Sequence, residues 1–136
     1  VHIDGNIELV NLTYFYDDSS EIIFNNISLR FESSKSYLLH GLSGAGKTTM
    51  IKLLSCLISP KEGFITYDGQ DGRSLNRNSL QRYFGVIFDD AQLFAGSVYQ
   101  NIACGRSLKP EVIRDLMLSH AIFDTLLDLP MGLETY

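Results

Sequence analysis

Basic charge is in short supply in this chain. Its 136 residues carry 11 Lys and Arg against 16 Asp and Glu, a formal net charge of −5. That balance leaves no electrostatic footprint for nucleic acid or for an anionic membrane surface. Cysteine is scarcer still. Cys56 and Cys104 stand far apart, which argues against a disulfide framework or a cysteine-based zinc site. No apolar run approaches the length that crosses a bilayer, and the first residues lack a signal-peptide pattern. Repeats, low-complexity tracts and linkers are missing as well. What remains is an ordinary globular composition, 45% apolar and 20% charged, with enough residues to bury one core. The expectation is a single-domain cytosolic chain.

Against that plain background one stretch carries chemistry: Gly41-Leu42-Ser43-Gly44-Ala45-Gly46-Lys47-Thr48-Thr49. It fits G-x-x-x-x-G-K-[ST], in which closely spaced glycines let successive backbone N–H groups turn toward an anion. Gly41, Gly44 and Gly46 can take positive φ without a Cβ clash. In such a loop Lys47 reaches the β- and γ-phosphates, and the Thr48 hydroxyl is placed to ligate Mg²⁺. The flanks agree. Tyr37-Leu38-Leu39 reads as a buried strand leading in. Met50, Ile51, Leu53, Leu54, Leu57 and Ile58 recur with helical spacing until Ser59-Pro60. A chance glycine-rich turn would lack both flanks.

Elsewhere the pattern is α/β. Ile7 to Tyr16 and Ile22 to Phe31 read as extended segments around a turn at Asp17-Asp18-Ser19-Ser20. In the second, Ile27, Leu29 and Phe31 alternate with Ser28 and Arg30. Lys61-Glu62-Gly63 turns into Phe64 to Tyr67. Gln70 to Ser79 reads as loop, with a helical piece near Leu80 to Tyr83. Gly85-Val86-Ile87-Phe88 reads as a buried parallel strand. Pro110 opens a helix with Val112, Ile113, Leu116 and Met117 on one face. A second amphipathic piece runs from Ala121 to Leu129. Cys56 falls on the first helix and reads as a core residue.

The order of these elements resembles the nucleotide-binding domain of ABC transporters of the exporter type. Asn11-Leu12-Thr13-Tyr14-Phe15-Tyr16 is similar to the family's opening strand. Glu62-Gly63-Phe64-Ile65 with Asp68-Gly69 is similar to its "G-x-I…D-G" turns. Leu93-Phe94-Ala95-Gly96-Ser97-Val98 with Asn101-Ile102 resembles the run after its Q-loop. Leu129-Pro130-Met131-Gly132-Leu133-Glu134-Thr135 resembles the loop before the signature motif. The stretch from Asp89 to Ser97 is similar to peptide and bacteriocin exporters. The resemblance implies an α/β fold, a phosphate-loop core of parallel sheet and helices with an N-terminal antiparallel section. Residues 1–136 would form a single partial domain, with the core over about 1–100 and a helical subdomain starting over about 101–136. It implies ATP and Mg²⁺ as ligands, Thr49 on the α-phosphate and Tyr16 stacked on adenine. Ser43 and Ala45 enter with the loop. It further implies a transmembrane partner, a second nucleotide-binding domain, and a place at the cytoplasmic side of the membrane.

Departures from the family pattern matter too. Asp89 stands where the Q-loop glutamine is expected, and is either an Mg²⁺ ligand or a solvated loop acid. Ser34 replaces a customary glycine. The signature loop, Walker B strand, catalytic glutamate and switch histidine would lie beyond Tyr136, so these residues alone are expected to turn over ATP poorly, if at all. Tyr16, without the resemblance, reads as a core or cross-strand aromatic. Two other functions compete with exporter ATPase: a truncated or degenerate cassette that binds nucleotide without turnover, and an unrelated phosphate-loop kinase or GTPase. The last is disfavoured by the antiparallel strands before the loop and the lack of an N-K-x-D motif.

Overall fold

The computed structural model describes residues 3–19, 21–120 and 124–136. They fall into two compact units, Val1–Val86 and Ile87–Tyr136. The first is built on an antiparallel sheet of β1 (Ile7–Phe15), β2 (Ile22–Phe31), β3 (Glu62–Tyr67) and β4 (Gln70–Asp71), in the order β2-β1-β3-β4. Helix α1 (Lys47–Leu54) supplies Met50 and Leu53 to a core with Leu9, Leu12, Tyr14, Ile65 and Tyr67. Burial of each such apolar side chain contributes about 1.5–3 kcal/mol.

Strict alternation would not give that core. After Leu9 the next inward position on β1 would be Asn11, a polar residue. Asn11 instead adopts φ +48, and Leu9 pairs with Leu29 while Leu12 pairs with Ile27. Three residues of β1 therefore span two of β2, a bulge that switches the strand's phase and returns Leu12 and Tyr14 to the buried side. The Asn11 amide is satisfied by donating to Ser28 Oγ at 2.9 Å. β2 has its own left-handed residue, Asn26 at φ +52, whose amide donates to Thr13 Oγ1 at 3.1 Å. On the other side of β1 the bulge meets Gly63. A Cβ on Gly63 would lie 2.3 Å from the Val10 carbonyl oxygen, and the residue holds φ +73.

Helix α1 ends four residues before the apolar pattern does. Cys56 takes φ +59, its amide donates to Leu53 O at 3.1 Å, and the Leu57 amide donates to Lys52 O at 2.9 Å. This is a Schellman closure with cysteine in the position usually held by glycine. Leu57 and Ile58 thus lie outside the helix, and Cys56 packs beside the core as a half-buried capping residue. The carbonyls of Cys56 and Leu57 accept from the Arg77 guanidinium at 2.7 and 2.6 Å, so α2 (Arg77–Gln81) is tied to the end of α1. The span read as loop holds β4, a 3₁₀ turn at Gly72–Ser74 and the start of α2, capped by the Asn76 side chain on the Ser79 amide. Ser34 sits at φ +58, a conformation its glycine counterpart takes without cost.

The two segments read as buried strands, Tyr37-Leu38-Leu39 and Gly85-Val86-Ile87-Phe88, lie outside the sheet among the described residues. Leu38 is 90% and Ile87 93% exposed there. A strand exists only through ladder bonds to a neighbour. Among the described residues the sheet is the four-stranded antiparallel one, and neither segment joins it.

In the second unit α3 (Val98–Ala103), α4 (Pro110–Leu118) and α5 (Asp124–Leu127) surround Ala103, Ile113, Met117 and Leu133. Ser97 and Gln100 form a capping box at α3, a Ser-x-x-Gln signal present in the sequence. Pro110 opens α4, where Ile113 and Met117 are buried but Val112 and Leu116 are more than half exposed. Residues 121–123 of the second amphipathic piece lie outside the described residues.

Gly63→Ala is expected to lower unfolding free energy by more than about 1 kcal/mol, because it adds strain and a carbonyl clash at once. Denaturant melts of the two proteins check this.

Candidate functional site

The loop from Gly41 to Thr49 joins an exposed connection to the first turn of α1, where Thr49 and Met50 are buried. Two of its glycines are left-handed, Gly44 at φ +82 and Gly46 at φ +84, while Gly41 has ordinary backbone. The expected freedom at Gly41 is therefore not used. Gly46 is the constrained position. It is the N-cap of α1, and a Cβ there would fall 2.6 Å from Ile23 Cγ2 and 3.0 Å from Phe24 Cζ. Strand β2 thus presses against the loop–helix junction, and any side chain at residue 46 would push it off.

This N-terminus has no side-chain cap. Helices commonly satisfy the first-turn amides with a Ser, Thr, Asp or Asn oxygen. Here the N-cap is a glycine, and those donors face the space over the loop with the positive end of the helix dipole behind them. A Cβ on Gly44 would meet nothing within 4 Å, so that space is open. Ser43 and Ala45 are exposed beside it, and the Ala45 amide closes the turn by donating to Leu42 O at 3.3 Å.

Lys47 lies back across the loop. Its Nζ donates to Gly41 O at 2.9 Å and to Leu42 O at 2.6 Å. An ammonium has three donors, so one is left to give. Thr48 is exposed on the first turn, where its hydroxyl can serve as a hard oxygen ligand. Thr49 is buried, and its Oγ1 lies 3.1 Å from Tyr16 Oη. Tyr16 is thereby brought to the loop although it stands 33 positions away. Its ring packs edge-on against buried Tyr14, with centroids 5.2 Å apart. A cavity of about 300 Å³ opens between Tyr16 and Gly44-Ala45, lined also by Ser19 and Glu21.

The first unit thus assembles Tyr16 with Gly41, Ser43, Gly44, Ala45, Gly46, Lys47, Thr48 and Thr49. Asp89 belongs to the second unit, where it is an exposed turn residue next to Asp90. Among the described residues, no three His, Cys, Asp or Glu side chains converge as a metal cage. Sequence reasoning missed Ile23 and Phe24 as the backing of Gly46, and the Thr49–Tyr16 contact; both are long-range pairings with no local signal.

A roomier cavity of about 390 Å³ lies under the end of α1, lined by Leu53, Cys56, Phe64, Tyr67 and Leu80 among others. It holds none of the sequence-predicted residues. Burial pushes the Cys56 thiol pKa up, and Tyr67 Oη, 2.7 Å away, only partly offsets this. Burial and then Cys56 push the Tyr67 hydroxyl up as well. Both groups stay neutral, and the Tyr67 hydroxyl anchors to Leu54 O at 3.0 Å. Packing accounts for this pair.

Comparison with known proteins places the chain in a family. The family model described as ABC transporter matches residues 24–131. The chain is 34% identical over 131 residues to a probable microcin-H47 secretion/processing ATP-binding protein of Escherichia coli, covering 95% of this chain and 19% of that protein. It is 35% identical over 131 residues to the colicin V secretion/processing ATP-binding protein of Escherichia coli, again covering 95% and 19%. It therefore spans about a fifth of the length of these relatives. Among solved structures, a bacterial Atm1-family ABC exporter with ATP bound superposes with a TM-score of 0.86 at 29% identity, covering 99% of this chain and 24% of that one.

Gly46→Ala is expected to cost about 2 kcal/mol or more, from left-handed strain plus displacement of Ile23 and Phe24. The measurement is a chemical melt, in which an unchanged midpoint would refute the packing argument.

Proposed function

The chain belongs to the ABC transporter family, and from that premise we propose that it is the ATP-binding portion of an exporter, coupling ATP binding and hydrolysis to transport across a membrane. One observation carries the reading: an uncapped helix N-terminus, a left-handed glycine pair and a lysine meet in one loop beside an aromatic-walled cavity. Under this reading the amides of the loop from Gly41 to Thr48 grip the phosphates, and Lys47 gives its remaining donor to the β- and γ-oxygens. Thr49 adds a bond at the α-phosphate. Tyr16 stacks on adenine, with Ser43 and Ala45 shaping the loop edge. Thr48 would hold Mg²⁺, which would supply charge neutralisation across the phosphates, and the Asp89 carboxylate is the other candidate hard-cation ligand. No nucleic acid enters the account, consistent with the net charge of −5.

Neither Tyr37-Leu38-Leu39 nor Gly85-Val86-Ile87-Phe88 pairs with a neighbour among the described residues, and we assign them to the parallel sheet that the family fold implies, with the helical subdomain in the residues from about 101 onward. No helix among the described residues is long and apolar enough to cross a membrane. The pathway for substrate is assigned to a partner transmembrane domain, with this chain on its cytoplasmic side and a second nucleotide-binding domain facing it. Hydrolysis needs a water-orienting group. We assign none to these residues, so alone they turn Mg-ATP over slowly.

A second reading, nucleotide binding without turnover, is favoured by one residue. Asp89 stands where the family's glutamine is expected, one methylene shorter and charged. Coupling transmitted through it would differ.

The test is calorimetry with Mg-ATP. Magnesium-dependent heat is expected, and Lys47→Ala should weaken affinity by roughly 10- to 100-fold, the worth of a charge-assisted hydrogen bond. Equal affinity of the variant would overturn the reading.

A further inference from the structure

The cavity beside Tyr16 has one wall that the phosphate loop does not build. Its lining passes from Gly44 and Ala45 to Ile22 and Ile23, and then to Ser19 and Glu21. Alanine and isoleucine side chains offer carbon alone, so side-chain hydrogen bonding on this wall comes from the turn after β1. Two bonds fix that turn. The Ser19 amide donates to the Tyr16 carbonyl at 3.0 Å, and the Glu21 amide donates to Ser19 Oγ at 3.1 Å. Aromatic ring and carboxylate are therefore tied together, and both line the same cavity of about 300 Å³. The acid next to Tyr16 is differently employed, since Asp17 accepts from Lys61 at 2.6 Å. Glu21 forms no such ion pair among the described residues. Its carboxylate is left to face the cavity.

We infer that Glu21 is the specificity-determining residue of the base subsite: its carboxylate accepts from the exocyclic amine of adenine while Tyr16 holds the face of the ring. The inference rests on the nucleotide reading above and adds one residue to it. An ionised carboxylate only accepts hydrogen bonds, so it selects a donor at the edge it meets. Adenine presents an amine at its 6-position. A 6-oxo purine in the same pose presents a carbonyl oxygen, and two acceptors then oppose each other. A purine with hydrogen at that position leaves the carboxylate unmatched. A site built to pair with a polar group rejects the analogue that lacks it. Glu21 is exposed, so water limits the discrimination to the scale of a single hydrogen bond.

The experiment is a matched titration of the full chain with the magnesium complexes of ATP, inosine triphosphate, purine riboside triphosphate and tripolyphosphate, in wild type, Glu21→Gln and Glu21→Ala. Wild type should favour ATP over each of the other two nucleotides by roughly three- to tenfold, the range of one hydrogen bond. Glu21→Ala should bring the three nucleotides within about twofold of one another. A glutamine amide both accepts and donates, so Glu21→Gln should raise inosine triphosphate toward ATP and leave purine riboside triphosphate behind. Tripolyphosphate affinity should stay within about twofold throughout. Glu21 is exposed and outside the core, so both variants keep the fold. A preference for ATP that survives Glu21→Ala, or none in wild type, would overturn the inference while sparing the nucleotide reading. A uniform shift of all ligands in the variants would make Glu21 a general charge effect and overturn it too. Failure of wild type to bind any of the ligands would remove both.

Discussion

Residue 46 has no room for a side chain, and the rest of the site follows from that. Ile23 and Phe24 of β2 press on the point where loop becomes helix, within 3.0 Å of where a Cβ would stand. The contact does two things. It holds the loop at a left-handed turn that aims the first amides of α1 outward, and it registers the sheet against the helix. Met50 and Leu53 then meet Leu9, Leu12 and Tyr14 one turn further on. A site built on loops alone would drift. This one is clamped between a strand and a helix whose shared core supplies the stability.

The bulges make the clamp possible. Without the extra residue at Asn11, the face that holds Leu9 would present a polar side chain where Leu12 now packs. Gly63 lets β3 approach the bulge, and Asp68 braces the far end by accepting from the amides of Asn6 and Asp4 at 2.8 and 2.6 Å. Burial raises the Asp68 pKa, but those amides outweigh it and hold the carboxyl below its ordinary value. The chain therefore spends its irregular residues where regular strands would misplace the core. Electrostatics then completes the loop. Lys47 is oriented by two backbone carbonyls, and no side-chain cap competes for the helix amides.

Much of the site was legible because the phosphate loop is local: its glycines, lysine and threonines are contiguous, and their conformational needs follow from residue type. Tyr16 was legible only through resemblance, since the Thr49 contact that places it spans 33 positions. Strand pairs β1 and β2 showed in their β-branched and aromatic content, but the bulges did not, because a left-handed asparagine depends on its cross-strand partner. The end of α1 was misplaced for a related reason. Leu57 and Ile58 extend the apolar spacing, yet Cys56 turns left-handed under hydrogen bonds from distant Arg77 and Gln81. Tyr37-Leu38-Leu39 and Gly85-Val86-Ile87-Phe88 join no ladder among the described residues, because apolar content makes a segment able to pair and a neighbour makes it do so.

The proposed anion receptor is the run of backbone amides from Gly41 to Thr48. Hydrogen exchange on those amides, measured with and without Mg-ATP, tests it most directly. The account predicts slowed exchange concentrated in that segment, with little change along β3 and β4. Protection spread evenly over the chain, or none in the loop at saturating nucleotide, would contradict it.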